Sequence, residues 1–154
     1  MRILIADQEP KVRFALHTLL SRQAGLEIAG EAATAEELLI QVEATQPDLL
    51  LLHWRLAESA PGSIASLRKL CPGMHIIVLS VRSWVAHDAL AAGADAFVSK
   101  TYPPERLLAA IAAVGPTHNP GEGDRHDTAG QERASKARGS LELQTIQQLS
   151  PSCP

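Results

Sequence analysis

Apolar residues in the first 114 positions follow two alternating patterns. In one pattern, apolar residues recur at helical spacing, as they do at Val12, Leu16, Leu19 and Leu20, and in the other they form short continuous runs. The short apolar runs themselves are typical of strands that are buried on both faces of a parallel sheet. These runs occupy residues 3–6, 28–30, 49–52, 76–79 and 96–98. The alternation predicts five strand–helix units.

Capping signals agree with this division of the chain. Pro10 is suited to the first turn of a helix, and Thr34, followed by two glutamates, is typical of a capped helix start. Gly25 and Gly93 stand where glycine commonly ends a helix. A third helix is predicted over residues 63–70.

Polar residues follow four of the five predicted strands. Right-handed crossovers between parallel strands give a doubly wound α/β sheet with helices on both faces. The carboxyl ends of such strands meet at one edge, where functional sites of these folds collect. We therefore expect Asp7 with Gln8, His53, Ser80 and Lys100 to face one shared crevice.

The apolar pattern stops after residue 114. Residues 115–140 contain no Val, Ile, Leu, Met or aromatic residue. Such a segment buries too little surface to offset its ordering entropy. The sequence thus predicts a domain over residues 1–114 and a low-complexity, mostly disordered tail over 115–154, with a short amphipathic helix or a frayed end at 141–149.

Composition and charge exclude several classes of protein. No apolar run approaches the ~20 residues that span a bilayer, and Asp7 comes too early for a signal peptide. The formal charge of -3 offers no footprint for nucleic acid, and the two cysteines suggest no disulfide framework. The loop 7–11 lacks the glycines of a nucleotide-binding loop. These features predict a cytoplasmic protein that is not an enzyme and has no membrane partner.

The segments at the strand ends carry a family resemblance. RILIAD at 2–7, PDLLLL at 47–52, IIVLS at 76–80 and AGADAFVSK at 92–100 resemble the receiver domain of two-component response regulators. The resemblance implies a flavodoxin-like (βα)5 fold with strand order 2-1-3-4-5. It is nearest to the subfamily whose receivers precede a helix-turn-helix domain. The 40 residues after 114 are too few for that domain, so we expect no DNA-binding domain in this chain.

The resemblance also implies a chemistry for the crevice. In the family, an aspartate ending the third strand takes a phosphoryl group from a histidine of a partner kinase, with magnesium held by acids that end the first strand. On this pattern Asp7 and Gln8 occupy the acidic metal pocket, Ser80 and Lys100 are the phosphoryl-binding pair, and Phe97 is the switch aromatic.

The phosphoacceptor position departs from this pattern because it is His53. An imidazole cannot form an acyl phosphate, and Gln8 replaces a family acid. With His53 neutral, Asp7 and Lys100 cancel, which removes the electrostatic reason for magnesium. No cofactor is therefore expected, and the chain is interpreted as a degenerate pseudo-receiver.

Three interpretations of His53 remain open. It is a former pocket residue hydrogen-bonded to Asp7 or to the neighbours of Lys100, a transition-metal ligand together with Asp7, or a phosphohistidine or pH sensor. The functional hypothesis is a phosphorylation-independent regulatory and protein-interaction module of the two-component phosphorelay type, acting in transcription regulation. The alternative is a receiver that still switches, through an unconventional acceptor or through a ligand or metal in the vestigial pocket.

The expected partner is another protein or a second copy of the chain. The predicted interaction surface is the face of the fourth and fifth helices with Trp84, His87, Phe97 and Tyr102, or a dimer seam of the first and fifth helices. Trp54 and Trp84 are expected at the mouth of the pocket, either part-buried under the loops or as anchors for a partner. A histidine kinase partner is left open.

Overall fold

The computed structural model describes residues 1–59 and 62–115. Apart from Gly115, the predicted tail over 115–154 and its helix at 141–149 lie outside the described residues. The predicted domain boundary therefore stays a prediction.

The predicted sheet is confirmed in both strand number and strand order. All neighbouring strands pair in parallel, and the order is β2-β1-β3-β4-β5. Each strand extends beyond its apolar run because backbone pairing continues past the buried centre. The strands are β1 (Arg2–Ala6), β2 (Glu27–Ala32), β3 (Leu49–His53), β4 (His75–Ser80) and β5 (Ala96–Ser99).

Helices connect the strands, as the sequence pattern predicted, with one addition. A one-turn helix directly after β3 was not expected, so the fourth and fifth helices of the sequence analysis are α5 and α6 here. A 3-10 turn over Ser83–Val85 precedes α5. The helices are α1 (Pro10–Ser21), α2 (Ala35–Thr45), α3 (Trp54–Ala57), α4 (Ile64–Leu70), α5 (Ala86–Ala91) and α6 (Pro104–Val114).

Most of the predicted helix ends agree with the structure. The Thr34 hydroxyl accepts a hydrogen bond from the backbone N–H of Glu37 at 3.2 Å, and Gly93 follows α5 with a φ of 109°. The prediction that Gly25 caps α1 is wrong, because α1 is capped by Arg22. The N–H of Gln23 bonds to the carbonyl of Leu20, so the chain already turns before Gly25, whose φ of 80° serves the next turn.

The sheet is covered on both faces, as a doubly wound fold requires. On one face Leu50 packs with residues of α2, α4 and α5, and on the other Leu51 packs with residues of α1 and α6. Both leucines are at most 1% exposed. Each such side chain contributes about 1.5–3 kcal/mol through burial, so the core fixes the strand ends that carry the polar residues.

Among residues 1–59 and 62–115, no helix has the length and apolar character needed to cross a membrane.

Candidate functional site

Four strands deliver polar side chains to one edge of the sheet. Ala6 pairs with Leu52, His53 with Leu79, and Ser80 with Ser99, so these strands end at nearly the same level. The residues that end them therefore meet in the predicted crevice. Asp7, His53 and Lys100 form a contact cluster there.

Asp7 lies at the centre of the cluster and is 1% exposed. Its backbone N–H donates to the carbonyl of Ala32, which continues the pairing of β1 with β2. Its side-chain Oδ1 accepts a hydrogen bond from the N–H of Glu9 at 2.9 Å. One carboxylate oxygen is thus engaged by the loop that leads into α1.

The other carboxylate oxygen of Asp7 is held by Lys100. The Lys100 ammonium donates to Oδ2 in a direct ion pair, and the Lys100 side chain is 14% exposed. The backbone places this lysine, because its N–H donates to the carbonyl of Ser80 at 2.9 Å. The ion pair joins the ends of β1 and β5 across the pocket.

His53 stands beside this ion pair without joining it. Its Nδ1 lies 3.7 Å from Oδ2 of Asp7, which is beyond hydrogen-bond range. In the described part of the chain this nitrogen is the one buried side-chain N or O atom that has no hydrogen-bond partner. The interpretation in which His53 is hydrogen-bonded to Asp7 is therefore wrong, because the imidazole nitrogen nearest to Asp7 lies too far from Oδ2 to donate to it.

The surroundings of His53 favour its neutral form. Burial, together with the positive charge of Lys100, lowers the pKa of His53 below its usual 6.5. The carboxylates of Asp7 and Glu9 act in the opposite direction and are outweighed. At neutral pH the cluster therefore contains one carboxylate, one ammonium and an uncharged imidazole.

The other predicted site residues have different surroundings. The Ser80 hydroxyl is buried and accepts a hydrogen bond from the N–H of Arg82 at 3.0 Å, so it closes the loop after β4. Gln8 is exposed. Phe97 is partly buried and packs against the core on the side of α2, α4 and α5. None of these three side chains hydrogen-bonds to the Asp7–Lys100 pair among the described residues.

Sequence reasoning missed Arg13 as a component of this site. The guanidinium of Arg13 donates to the backbone carbonyl of Asp7 at 2.6 Å and lies 3.5 Å from the carboxylate of Glu31 on β2. It therefore braces the turn that presents Asp7. A cation one turn into α1, six residues after Asp7, was the available signal.

The donor set does not fit magnesium. A magnesium ion prefers several hard oxygen ligands, usually including more than one carboxylate. Here both oxygens of Asp7 are already engaged, by Glu9 N–H and by Lys100, and Gln8 adds no charge. In the part of the chain that the structure describes, no group of three or more His, Cys, Asp or Glu side chains is arranged to hold a metal ion.

Large apolar side chains are exposed next to the pocket. Val81 is 61% exposed and Trp84 is 74% exposed in the loop that leads into α5. The guanidinium of Arg106 on α6 lies 5.4 Å from the ring centre of Tyr102, which precedes that helix. Trp54 is instead part-buried against the core. Of the two tryptophans, Trp84 is thus the one available to a partner.

Comparison with known proteins identifies the family. The model of the response regulator receiver domain matches residues 3–112. The chain is 38% identical over 113 residues to the uncharacterized transcriptional regulatory protein YhcZ of Bacillus subtilis (strain 168), covering 70% of this chain and 52% of that protein. It is 30% identical over 116 residues to the chemotaxis protein CheY of Thermotoga maritima, covering 73% of this chain and 96% of that protein.

Solved structures agree with these relatives. A two-component response regulator of the LuxR family from Aurantimonas sp. SI85-9A1 superimposes with a TM-score of 0.65 at 30% identity, covering 73% of this chain and 83% of that one. The chain spans about half the length of several of the curated relatives that it matches. Apart from Arg2, the first residue of β1, the segment that matches the family contains all five strands and every residue of the pocket, and the chain belongs to the response regulator receiver domain family.

Proposed function

We propose that this chain is a phosphorylation-independent receiver, a regulatory module that acts by binding other proteins in signalling of the two-component type. The observation that carries the proposal is the pocket itself. An imidazole ends β3 where the family has its acceptor aspartate, and the lysine that would bind a phosphoryl group is already paired with Asp7. As such a module it catalyses no reaction of its own.

The chemistry of the pocket supports this proposal. Aspartyl phosphate requires a carboxylate nucleophile, and His53 offers only ring nitrogens, of which Nδ1 is buried. An intact family pocket with three carboxylates and one lysine carries net negative charge and attracts a divalent cation. Here Asp7 and Lys100 neutralise each other, so that attraction is absent and no cofactor is proposed.

The closed ion pair also supports a single conformational state. In the family, the arriving phosphoryl group draws the hydroxyl and the lysine inward. In this chain the Ser80 hydroxyl accepts a hydrogen bond from its own loop and Lys100 is paired with Asp7, so both groups already have partners within the protein. We propose that the face of α5 and α6 is therefore available to a partner at all times, without an activating signal.

We assign the partner surface to the face of α5 and α6. Trp84 and Val81 supply exposed apolar area, Arg82 lies between them in the sequence, and the exposed Arg106 of α6 lies over the ring of Tyr102. Tryptophan, tyrosine and arginine are the residue types that dominate the energetics of protein interfaces. The occupant is a protein partner or a second copy of the chain, and transcription regulation is the proposed process because the matched relatives are transcriptional regulators.

Phosphoryl transfer from acetyl phosphate tests the proposal. The full chain is incubated with acetyl phosphate and magnesium, and its intact mass is measured without acid treatment, so that phosphohistidine is also detected. We expect no phosphoryl adduct. A stoichiometric adduct on the wild type would contradict the proposal and favour a receiver that still switches through an unconventional acceptor.

Two variants serve as matched controls for this experiment. His53→Asp alone should gain little phosphorylation, because Gln8 still leaves the metal pocket short of a carboxylate. His53→Asp combined with Gln8→Asp restores both the nucleophile and the second acid, and should accept phosphate. Phosphorylation of this double variant would confirm that the assay and the fold are competent.

A further inference from the structure

The outer face of α2 carries an exposed isoleucine between carboxylates. Ile40 is 65% exposed, although it lies in the middle of a helix whose apolar stripe faces the core. Glu36 and Glu43, one turn before and one turn after it, are also exposed. We call these three residues the α2 face. It shares no residue with the pocket or with the partner surface around Trp84.

Two of these residues stand where helix physics disfavours them. An acid in the last turn, such as Glu43, meets the negative end of the helix dipole, and α2 has no basic residue of its own in that turn. An exposed Ile40 loses the favourable burial of an aliphatic side chain. Glu36 lies in the first turn of α2, where the positive end of the helix dipole favours a carboxylate. Local choices that oppose the fold commonly mark a functional surface.

Carboxylates and cations are also distributed unevenly along the whole domain. Residues 23–54 contain six carboxylates and no Lys or Arg, whereas residues 1–22 together with 55–115 contain ten cations and six carboxylates. Among the described residues, Glu36 and Glu43 form no ion pair, while Glu31 is paired with Arg13. The guanidinium of Arg2 on β1 donates a hydrogen bond to the carbonyl of Thr45, at the C-terminal end of α2.

We infer that the α2 face is a docking surface for a basic amphipathic helix of a partner protein, with an apolar side chain seated on Ile40 and Lys or Arg on both sides of it. Glu36 and Ile40 lie on one i, i+4 ridge of α2, and such ridges pack into the grooves of another helix. The two carboxylates would then select a basic partner and suppress others.

The same charges argue against other occupants. In a symmetric contact between two copies, Glu36 and Glu43 would face the same carboxylates of the second copy. Nucleic acid and the anionic surface of a membrane are repelled by the same side chains. A basic protein segment is the class of partner that both the apolar and the charged residues fit.

Titration of the isotope-labelled full chain with designed peptides tests this inference. The probe is a 14-residue amphipathic peptide of leucine and lysine, and its counterpart has glutamate in place of every lysine. We expect the lysine peptide to shift the backbone amide signals of residues 35–45, with affinity that falls as sodium chloride is added. The glutamate peptide should leave these signals unchanged.

Variants separate a specific surface from general attraction of a cation. Ile40→Gln should weaken binding about tenfold, the affinity equivalent of losing one buried aliphatic contact. Glu36→Lys with Glu43→Lys should abolish it. The matched controls Phe14→Gln, at an apolar residue that is 74% exposed on α1, and Glu105→Lys, on α6, should change the affinity less than about twofold.

Any of three results would overturn the inference. These are equal binding of the glutamate peptide, unchanged affinity of Ile40→Gln, or amide shifts that map outside α2. Because all the substituted residues are exposed, thermal unfolding should confirm that each variant folds like the parent. The experiment does not involve the pocket, so its failure leaves the proposed phosphorylation independence untouched.

Discussion

Replacing Asp7 by alanine should destabilise the fold rather than merely remove a switch. The Asp7 side chain is 2% exposed and the Lys100 side chain 14% exposed, so the substitution leaves a buried ammonium without its counter-ion. Removing one partner of a fully buried pair costs about 3–5 kcal/mol. Lys100 keeps some access to water, which lowers this cost, while the lost acceptor for Glu9 N–H adds about 1 kcal/mol. We therefore expect a loss of roughly 1–4 kcal/mol.

A double-mutant cycle identifies the source of this loss. Lys100→Met removes the cation, so the combination of Asp7→Ala and Lys100→Met should be less destabilised than the sum of the two single variants, by about 1–3 kcal/mol. Asp7→Asn is the matched control, because it keeps an acceptor for Glu9 N–H and removes only the charge. It should therefore lose less stability than Asp7→Ala.

Urea unfolding followed by circular dichroism measures these differences as shifts of the midpoint at constant slope. If Asp7→Ala is as stable as the parent or more stable, the ion pair does not stabilise the fold. Asp7 would then be a strained acid kept for function, and a pocket that responds to a ligand would be the better interpretation. Additive effects of Asp7→Ala and Lys100→Met would likewise show that the ion pair does not hold the two strand ends together.

Acidification should destabilise the wild type through His53, whose pKa in the folded protein lies below its usual 6.5. Above pH 6.5 the stability that the neutral imidazole contributes is complete, and it is lost as the pH falls from 6.5 to the lower pKa of the folded protein. The melting temperature should therefore drop more in the wild type than in His53→Asn. Gly62→Ala would place a Cβ 2.1 Å from the Leu56 carbonyl oxygen and should cost about 2 kcal/mol or more in urea, whereas Gly73→Ala meets open space and should stay within about 0.5 kcal/mol. Leu51→Ala, at a residue 1% exposed, should cost about 2–5 kcal/mol in the same assay.

The fold was predictable because its signals are local and mutually consistent. The run at 49–52 has no polar interruption, which is typical of a strand buried on both faces, and Thr34 with its following glutamates defines the start of α2. The one-turn helix Trp54–Ala57 was not predictable. A four-residue helix has no periodicity to detect, and its formation depends on packing of Leu56 into the core.

The membership of the pocket was predictable, but its hydrogen bonding was not. Parallel strands must bring Asp7, His53 and Lys100 to one edge, whatever their side chains do there. Whether His53 bonds to Oδ2 of Asp7 depends on distances of a few tenths of an ångström, so the sequence could not exclude that hydrogen bond. Arg13 was missed for a related reason. Its position early in α1 is visible in the sequence, but its partner is a backbone carbonyl, which the residue pattern does not identify.

The most direct test of phosphorylation independence is a pair of amide spectra of the isotope-labelled full chain, recorded without and with magnesium and beryllium fluoride, which mimics a phosphoryl group. We expect that the amide signals of Ser80 and Lys100 and the indole signal of Trp84 do not move. The variant with both His53→Asp and Gln8→Asp should show shifts and so validates the mimic. Saturable shifts of these signals in the wild type would contradict the account, because they would mean that the pocket still accepts a metal and a phosphoryl group and passes the change to the partner surface.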